Sequence, residues 1–235
     1  MTRPSRAIVL LSGGLDSATC LLIALGEATE AFALSFDYGQ RHGVELDRAR
    51  RLAERYGAAA HRIVRLDLPA GSSALTDRSR DVPRHALGAE PIPATYVPGR
   101  NTLFLAHAVA WGETIGAGDI YIGANALDYS GYPDCRPEFL EAFERTANLG
   151  TKAGVRGALT FRIRAPLLRL TKGEIVARAS ALGLDFSLTS SCYDPTPTGR
   201  PCGACDSCLL RAKGFRMARL RDPLVHDDTS GVNPP

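Results

Sequence analysis

Short apolar runs alternate with stretches of helical periodicity along the first two thirds of the chain, and that alternation leaves few folds open. Residues 7–11 are an unbroken apolar run ending at Ser12-Gly13-Gly14 and predict a buried strand. Residues 16–27 are apolar around the circumference and predict a largely buried helix. A second strand is expected over 30–37. Residues 44–56 put Ala49, Leu52, Ala53 and Tyr56 on one helical face with arginines opposite, and Gly57 closes the helix. Strands over 61–66, 120–124 and 159–165 then alternate with helices over 101–115 and 137–149. Thr171 and Glu174 form a capping box for another helix, whose apolar face is Ile175, Val176, Ala179 and Leu182 and whose stop is Gly183. Such a pattern predicts βαβ units with right-handed crossovers. The expected fold is an α/β, Rossmann-like sandwich on a five-stranded parallel sheet, with ligands at the carboxyl ends of the strands.

One stretch breaks the alternation. Residues 69–99 hold Pro69, Pro83, Pro91, Pro93 and Pro98 and keep no period, which suggests a lid over a substrate. The formal charge of +3 is too mild for a nucleic-acid binder. No apolar run reaches membrane-spanning length. The first apolar run is too short for a secretory signal, so a cytoplasmic protein is expected. Residues 1–190 are read as one domain, 191–221 as a cysteine-bearing subdomain and 222–235 as a flexible tail.

The first strand runs into Ser12-Gly13-Gly14-Leu15-Asp16-Ser17 and then a helix. A strand, a glycine turn and a helix N-terminus make an anion site, because free N–H groups and the positive end of the helix dipole face the ligand. A Walker loop is excluded by spacing, and the dinucleotide fingerprint is absent. Asp16 in such a loop needs a cation beside it, and Mg²⁺ carried by a phosphate ligand meets that need. Ser12 and Ser17 can donate to phosphate oxygens. Arg100 and Lys172 can neutralise charge as a phosphate leaves. Tyr38, Tyr129, Tyr132 and Asp134 can stack on or hydrogen-bond a flat purine-like ring. His42, in a motif at a strand end, is the histidine expected to be functional. Trp111, Leu103 and Phe104 are expected in the core.

Cys192, Cys202, Cys205 and Cys208 fall within seventeen residues, nine separating the first two and two each later pair. Four thiolates in a Pro/Gly-rich loop before a short helix (209–219) suit tetrahedral Zn²⁺, closed and therefore structural. An iron–sulfur cluster is the rival, because C-x₂-C-x₂-C also serves ferredoxins. Cys20 is expected to be a small buried hydrophobe.

The hexapeptide at 12–17 resembles the PP-loop of ATP enzymes that cleave between the α- and β-phosphates. Further motifs narrow the resemblance: Asp37-Tyr38-Gly39-Gln40-Arg41-His42, Val97-Pro98-Gly99-Arg100-Asn101, the run from Asp128 to Pro137, and Leu170-Thr171-Lys172-Gly173-Glu174-Ile175. With the four late cysteines, this series is similar to the QueC family from about Ala7 to Arg221. The gap between Cys192 and Cys202 is one residue longer than that family's pattern, which lengthens a loop. The resemblance implies an adenine nucleotide alpha hydrolase-type fold and conversion of 7-carboxy-7-deazaguanine and ammonia to 7-cyano-7-deazaguanine through adenylate and amide intermediates. A PP-loop tRNA-thiolating enzyme with an iron–sulfur cluster is the alternative. The resemblance implies ATP binding by Leu11, Ser12, Gly13, Gly14, Leu15, Asp16, Ser17, Ala18, Thr19, Cys20 and Leu21. It implies catalytic roles for Asp16, Arg100 and Lys172. Substrate is to be held by Tyr38, Gln40, His42, Asn101, Tyr129, Tyr132 and Asp134. One structural Zn²⁺ on Cys192, Cys202, Cys205 and Cys208, Mg²⁺ with ATP, and a homodimer complete the expectation.

Overall fold

The computed structural model describes residues 5–41, 43–68, 71–88, 92–127 and 131–225. Its sheet runs β3-β2-β1-β4-β5, all neighbours parallel. The strands are β1 (Arg6–Leu10), β2 (Glu30–Asp37), β3 (Ala60–Arg65), β4 (Asp119–Tyr121) and β5 (Arg162–Arg164). The helices are α1 (Leu15–Glu27), α2 (Val44–Tyr56), α3 (Arg100–Ile115), α4 (Pro137–Gly150), the single turn α5 (Lys152–Val155), α6 (Lys172–Ala181) and α7 (Asp206–Met217).

Side chains alternate across a strand, so β1 feeds two cores. Ala7, Val9 and Leu11 pack with Leu21, Leu52, Ile175 and Phe215, which brings α1, α2, α6 and α7 to one face. Ile8 and Leu10 pack with Leu34, Leu105, Trp111 and Leu140, which brings α3 and α4 to the other. The strand order reverses between β1 and β4. That is the crevice where α/β sheets of this kind bind ligands.

β2 and α2 span the residues their patterns predict, and the capping box of Thr171 and Glu174 is formed. β4 and β5 are shorter than their apolar runs. After Tyr121 the chain leaves the sheet because Gly123 must lie against the start of α1, where an added Cβ would stand 3.1 Å from the Ser17 nitrogen. Before β5, Leu159 is spent on the turn after α5, its N–H bonding the Ala153 carbonyl. α7 begins earlier than expected, with Cys205 at its N-cap. Leu103 faces outward, whereas Phe104 stacks on Phe36 at 4.0 Å.

The described parts of the expected lid have no helix or strand but are tied down. Ser73, Ala74, Leu75, Val82, Thr95 and Val97 are buried. Arg84 bridges to Cys205, the His85 N–H bonds Ala204, and the Ala86 N–H bonds the Asp206 carboxylate. Opening this segment must break those bonds. The expected tail is also anchored at its start, for Asp222 is buried and paired with Arg211. Its residues 226–235 lie outside the described set.

Candidate active site

The chain turns sharply at Gly13, whose φ of +87° suits glycine, and any Cβ there would meet the Glu45 carbonyl at 2.3 Å. The turn is braced from within. Ser17 Oγ donates to the Gly14 carbonyl at 3.0 Å and accepts from the Ser12 N–H at 3.2 Å. The Ser12 and Ser17 hydroxyls lie 3.0 Å apart. The N-terminus of α1 therefore opens on the crevice with two hydroxyls beside it, an arrangement that suits an anion.

The loop is also braced from behind. Ser35 on β2 donates to the Leu11 carbonyl at 2.5 Å. His61 Nε2 lies 2.7 Å from the same Ser35 oxygen. Since the carbonyl takes the hydroxyl proton, Ser35 can only accept from His61, which places the imidazole proton on Nε2. Burial and the nearby Arg50 lower the His61 pKa. In a trans peptide the C=O and the next N–H point opposite ways. Fixing Leu11 thus aims the Ser12 N–H at Ser17. Ser35→Ala is expected to cost about 1–3 kcal/mol of stability and to raise the KM for ATP. Thermal melts and ATP titration of initial rates check this, and an unchanged KM would confine Ser35 to stability.

Asp16 and Lys172 come together across 156 residues of sequence, Nζ to Oδ2 at 2.5 Å. Helix α6 presents Lys172 at its first turn, so its N-terminus and that of α1 converge on one crevice. The cation that offsets Asp16 in this structure is Lys172. On the far wall, Arg100 at the start of α3 donates to the Tyr38 hydroxyl at 3.3 Å and lies 5.9 Å from the ring centroids of Tyr38 and Tyr132. Burial works against the guanidinium charge, but Tyr38, Tyr132 and Asp134 outweigh it and raise its pKa. Its Nε is buried with no partner among the described residues.

A cavity of about 270 Å³ joins these walls. Leu11, Ser12, Gly14, Leu15, Asp16, Ser17, Tyr38, Gln40, Arg100, Asn101, Tyr132 and Lys172 line it, as expected of residues at strand ends. Gly13, Ala18, Thr19, Cys20 and Leu21 are not on its wall; they shape the turn and seat α1 in the core. Gln40 reaches the wall, but its amide is spent on its own turn, accepting from Tyr38 N–H and donating to Phe36. Asp134 departs furthest from expectation. It is buried off the wall, where one carboxylate oxygen accepts from the Asn101 N–H at the start of α3. The other oxygen has no partner among the described residues. Asn101 in turn donates to the Asp134 carbonyl and to Cys135 Sγ. Burial and Asp134 push the Cys135 thiol up to about 11, so it stays protonated on the cavity wall. His42 and Tyr129 lie outside the described residues. Pattern reading missed Asn125, Phe104, Ser191 and Tyr193, which also line the cavity. Asn125 holds the Leu167 and Leu170 carbonyls, and nothing in its local sequence signals that.

Beside this crevice the sulfurs of Cys192, Cys202, Cys205 and Cys208 all lie within 4.8 Å of one another. A tetrahedral zinc with bonds of about 2.3 Å needs sulfurs about 3.8 Å apart. Backbone N–H groups of Cys202 and Cys205 point at Cys192 and Cys202 sulfurs. Crowding makes the thiols compete for protons. Hydrogen bonds from Cys192 and Cys208 push Cys205 down, while those from Cys192 and Cys205 push Cys208 up. A divalent cation such as zinc relieves that competition by taking all four as thiolates, so the donor set fits a metal.

The chain matches the family model described as Queuosine biosynthesis protein QueC over residues 6–219. It is 57% identical over 222 residues to the 7-cyano-7-deazaguanine synthase of Geotalea daltonii, covering 94% of this chain and 96% of that one. The synthase of Geobacter sulfurreducens is 57% identical over 227 residues, with 96% and 94% covered. That of an Anaeromyxobacter species is 59% identical over 229 residues, with 95% and 97% covered.

Proposed function

Because this chain belongs to the QueC family, we propose that its cavity converts 7-carboxy-7-deazaguanine and ammonia to 7-cyano-7-deazaguanine, at the cost of two ATP. The enzyme is an ATP-dependent ligase of queuosine biosynthesis. The observation that carries the stepwise scheme is the Asp16–Lys172 pair at the mouth of the glycine loop, in a crevice walled opposite by Arg100, Tyr38 and Tyr132.

A carboxylate is a poor electrophile because its charge repels a nucleophile. Its oxygen attacks the α-phosphorus of ATP, and pyrophosphate leaves. The N-terminus of α1, with Ser12 and Ser17, holds the departing pyrophosphate, and Lys172 neutralises its charge. Mg²⁺ bound to the nucleotide would supply further charge neutralisation, with Asp16 the carboxylate placed to hold it. Ammonia then attacks the acyl carbon and AMP leaves, giving the amide. The amide oxygen attacks a second ATP in the same loop. Loss of AMP and of the nitrogen's protons leaves the nitrile. Tyr38 and Tyr132 flank the flat base, and Arg100 faces its acyl group. Asp134 acts at one remove, by setting the start of α3.

One zinc on the four cysteines is structural in this reading, since four protein ligands close its shell. The segment 191–221 is the subdomain it organises. The chain is expected to act as a homodimer. No helix among the described residues is long and apolar enough to cross a membrane. A reducing cytoplasm suits the free cysteines.

The test is stoichiometry. Each of the two dehydrations, acid to amide and amide to nitrile, needs its own activation. Two AMP and two pyrophosphate should therefore appear per nitrile. Synthetic 7-amido-7-deazaguanine should react without ammonia at one ATP per nitrile. ADP and phosphate in the second round would contradict a shared adenylating loop, and an inert amide would break the stepwise scheme.

A further inference from the structure

Residues 189–193 cross the glycine loop from the far side of the fold. The Ser190 N–H donates to the Gly13 carbonyl at 2.9 Å. The Ser191 hydroxyl accepts from the Leu15 N–H, the first of α1, at 3.5 Å. Ser191 and Tyr193 both line the cavity. This strap is pinned on either side of Ser191. On one side Arg211, buried and forked onto Asp222 at 2.6 and 2.9 Å, donates to Thr189 Oγ1 at 2.8 Å. On the other side the next residue is Cys192, itself a member of the sulfur cluster.

We propose that Ser191 is a phosphate-binding residue of the ATP site, and that the cysteine cluster, by holding Cys192, sets where its hydroxyl stands. The inference rests on the reading of the cavity as an ATP site and adds a wall to it. The hydroxyl stands beyond the usual N–H···O range from Leu15. An arriving phosphate oxygen can therefore take the Leu15 N–H and receive the Ser191 O–H in the same movement. Nothing is broken that the phosphate does not replace. Adjacent Cα atoms are held at about 3.8 Å, so the place of Cys192 limits where Ser191 can stand. The sulfur cluster thereby reaches the phosphate site through one peptide bond.

The experiment uses the full-length, metal-loaded protein and calorimetric titration with α,β-methylene-ATP, which binds but cannot be cleaved at the reacting bond. Separate titrations use 7-carboxy-7-deazaguanine. Ser191→Ala is expected to weaken the nucleotide about tenfold, the scale of one hydrogen bond to a charged group. The deazaguanine acid should stay within twofold, and Ser191→Thr, which keeps the hydroxyl, should restore the nucleotide. Stripping the metal should weaken nucleotide binding in the wild type by a larger factor than in Ser191→Ala, because the variant has already lost the linked contact. Ser191→Ala binding nucleotide as tightly as the wild type overturns the phosphate role. Equal factors on stripping overturn the link to the cluster. If stripping unfolds the protein, the loaded alanine and threonine variants still decide the role of Ser191. A wild type that binds neither probe removes the ATP-site reading itself, whereas normal wild-type binding with an unaffected Ser191→Ala removes this inference alone.

Discussion

Asp16→Asn should reduce turnover by about a hundred- to a thousandfold, the range for removing one preorganised charge from a phosphoryl or acyl transfer site. The thermal midpoint should fall by only a few degrees. The pair with Lys172 is part-buried, 11% exposed on the lysine and 27% on the aspartate, and Asn keeps an acceptor for the ammonium. The loss should therefore be about 1–2 kcal/mol, above that of a surface pair and below that of breaking a fully buried one. Lys172→Met gives the converse charge. Without Mg²⁺, ATP should bind at least as tightly to Asp16→Asn, whose site has gained net positive charge, and more weakly to Lys172→Met. With Mg²⁺ both should be slow. Initial rates and nucleotide titrations with and without the ion measure this. Normal turnover by Asp16→Asn would leave Asp16 a mere partner of the helix dipole and would overturn its assignment to the reaction.

Cys205→Ser should lose the metal and much of the stability of the segment around it. Cys205 is fully buried, at the N-cap of α7, and its sulfur is one of the four in the cluster. Structural metal binding is folding free energy, about 10–16 kcal/mol for small zinc peptides. A folded chain that keeps other contacts should forfeit only part of that, on the order of 3–4 kcal/mol. At about 2–4 °C per kcal/mol for a chain of this size, the midpoint should fall by roughly 10 °C. Metal analysis of the purified protein should read about one zinc per chain in the wild type and a small fraction in the variant. A brown sample with bound iron would instead point to an iron–sulfur cluster, and a variant with unaltered midpoint and metal content would leave the four sulfurs without a metal role. The damage should extend beyond the sulfurs, because Arg84, His85 and Ala86 of the long segment are tied to residues 204–206.

Much of the fold was legible from local pattern. Val44–Tyr56 keeps one apolar stripe and a glycine stop, and the apolar run of Glu30–Asp37 marks the strand before it. β4 and β5 were legible as strands but not in length, since what ends them is the approach of Gly123 to α1 and a turn after α5. The glycine turn at 12–17 and the cysteine quartet were legible too, because spacing alone brings the groups of each close together. Asp134 shows what a local pattern leaves open. A carboxylate in a polar motif at a strand end looks the same in sequence whether it faces a base or caps a helix. Its service to Asn101 depends on α3 beginning just there.

The sequence by itself determined the kinds of element and their alternation, the parallel sense of the sheet, the glycine turn at 12–17 and the cysteine quartet. Each of these follows from periodicity, capping or spacing over a few residues, where backbone geometry leaves little choice. Only the tertiary structure decided which distant groups face one another. It set Lys172 on Asp16, Arg100 between Tyr38 and Tyr132, His61 behind Ser35, and Ser191 across the start of α1. Those meetings depend on how helices seat on both faces of the sheet, which is settled by the packing of the whole core and by no single stretch of the chain.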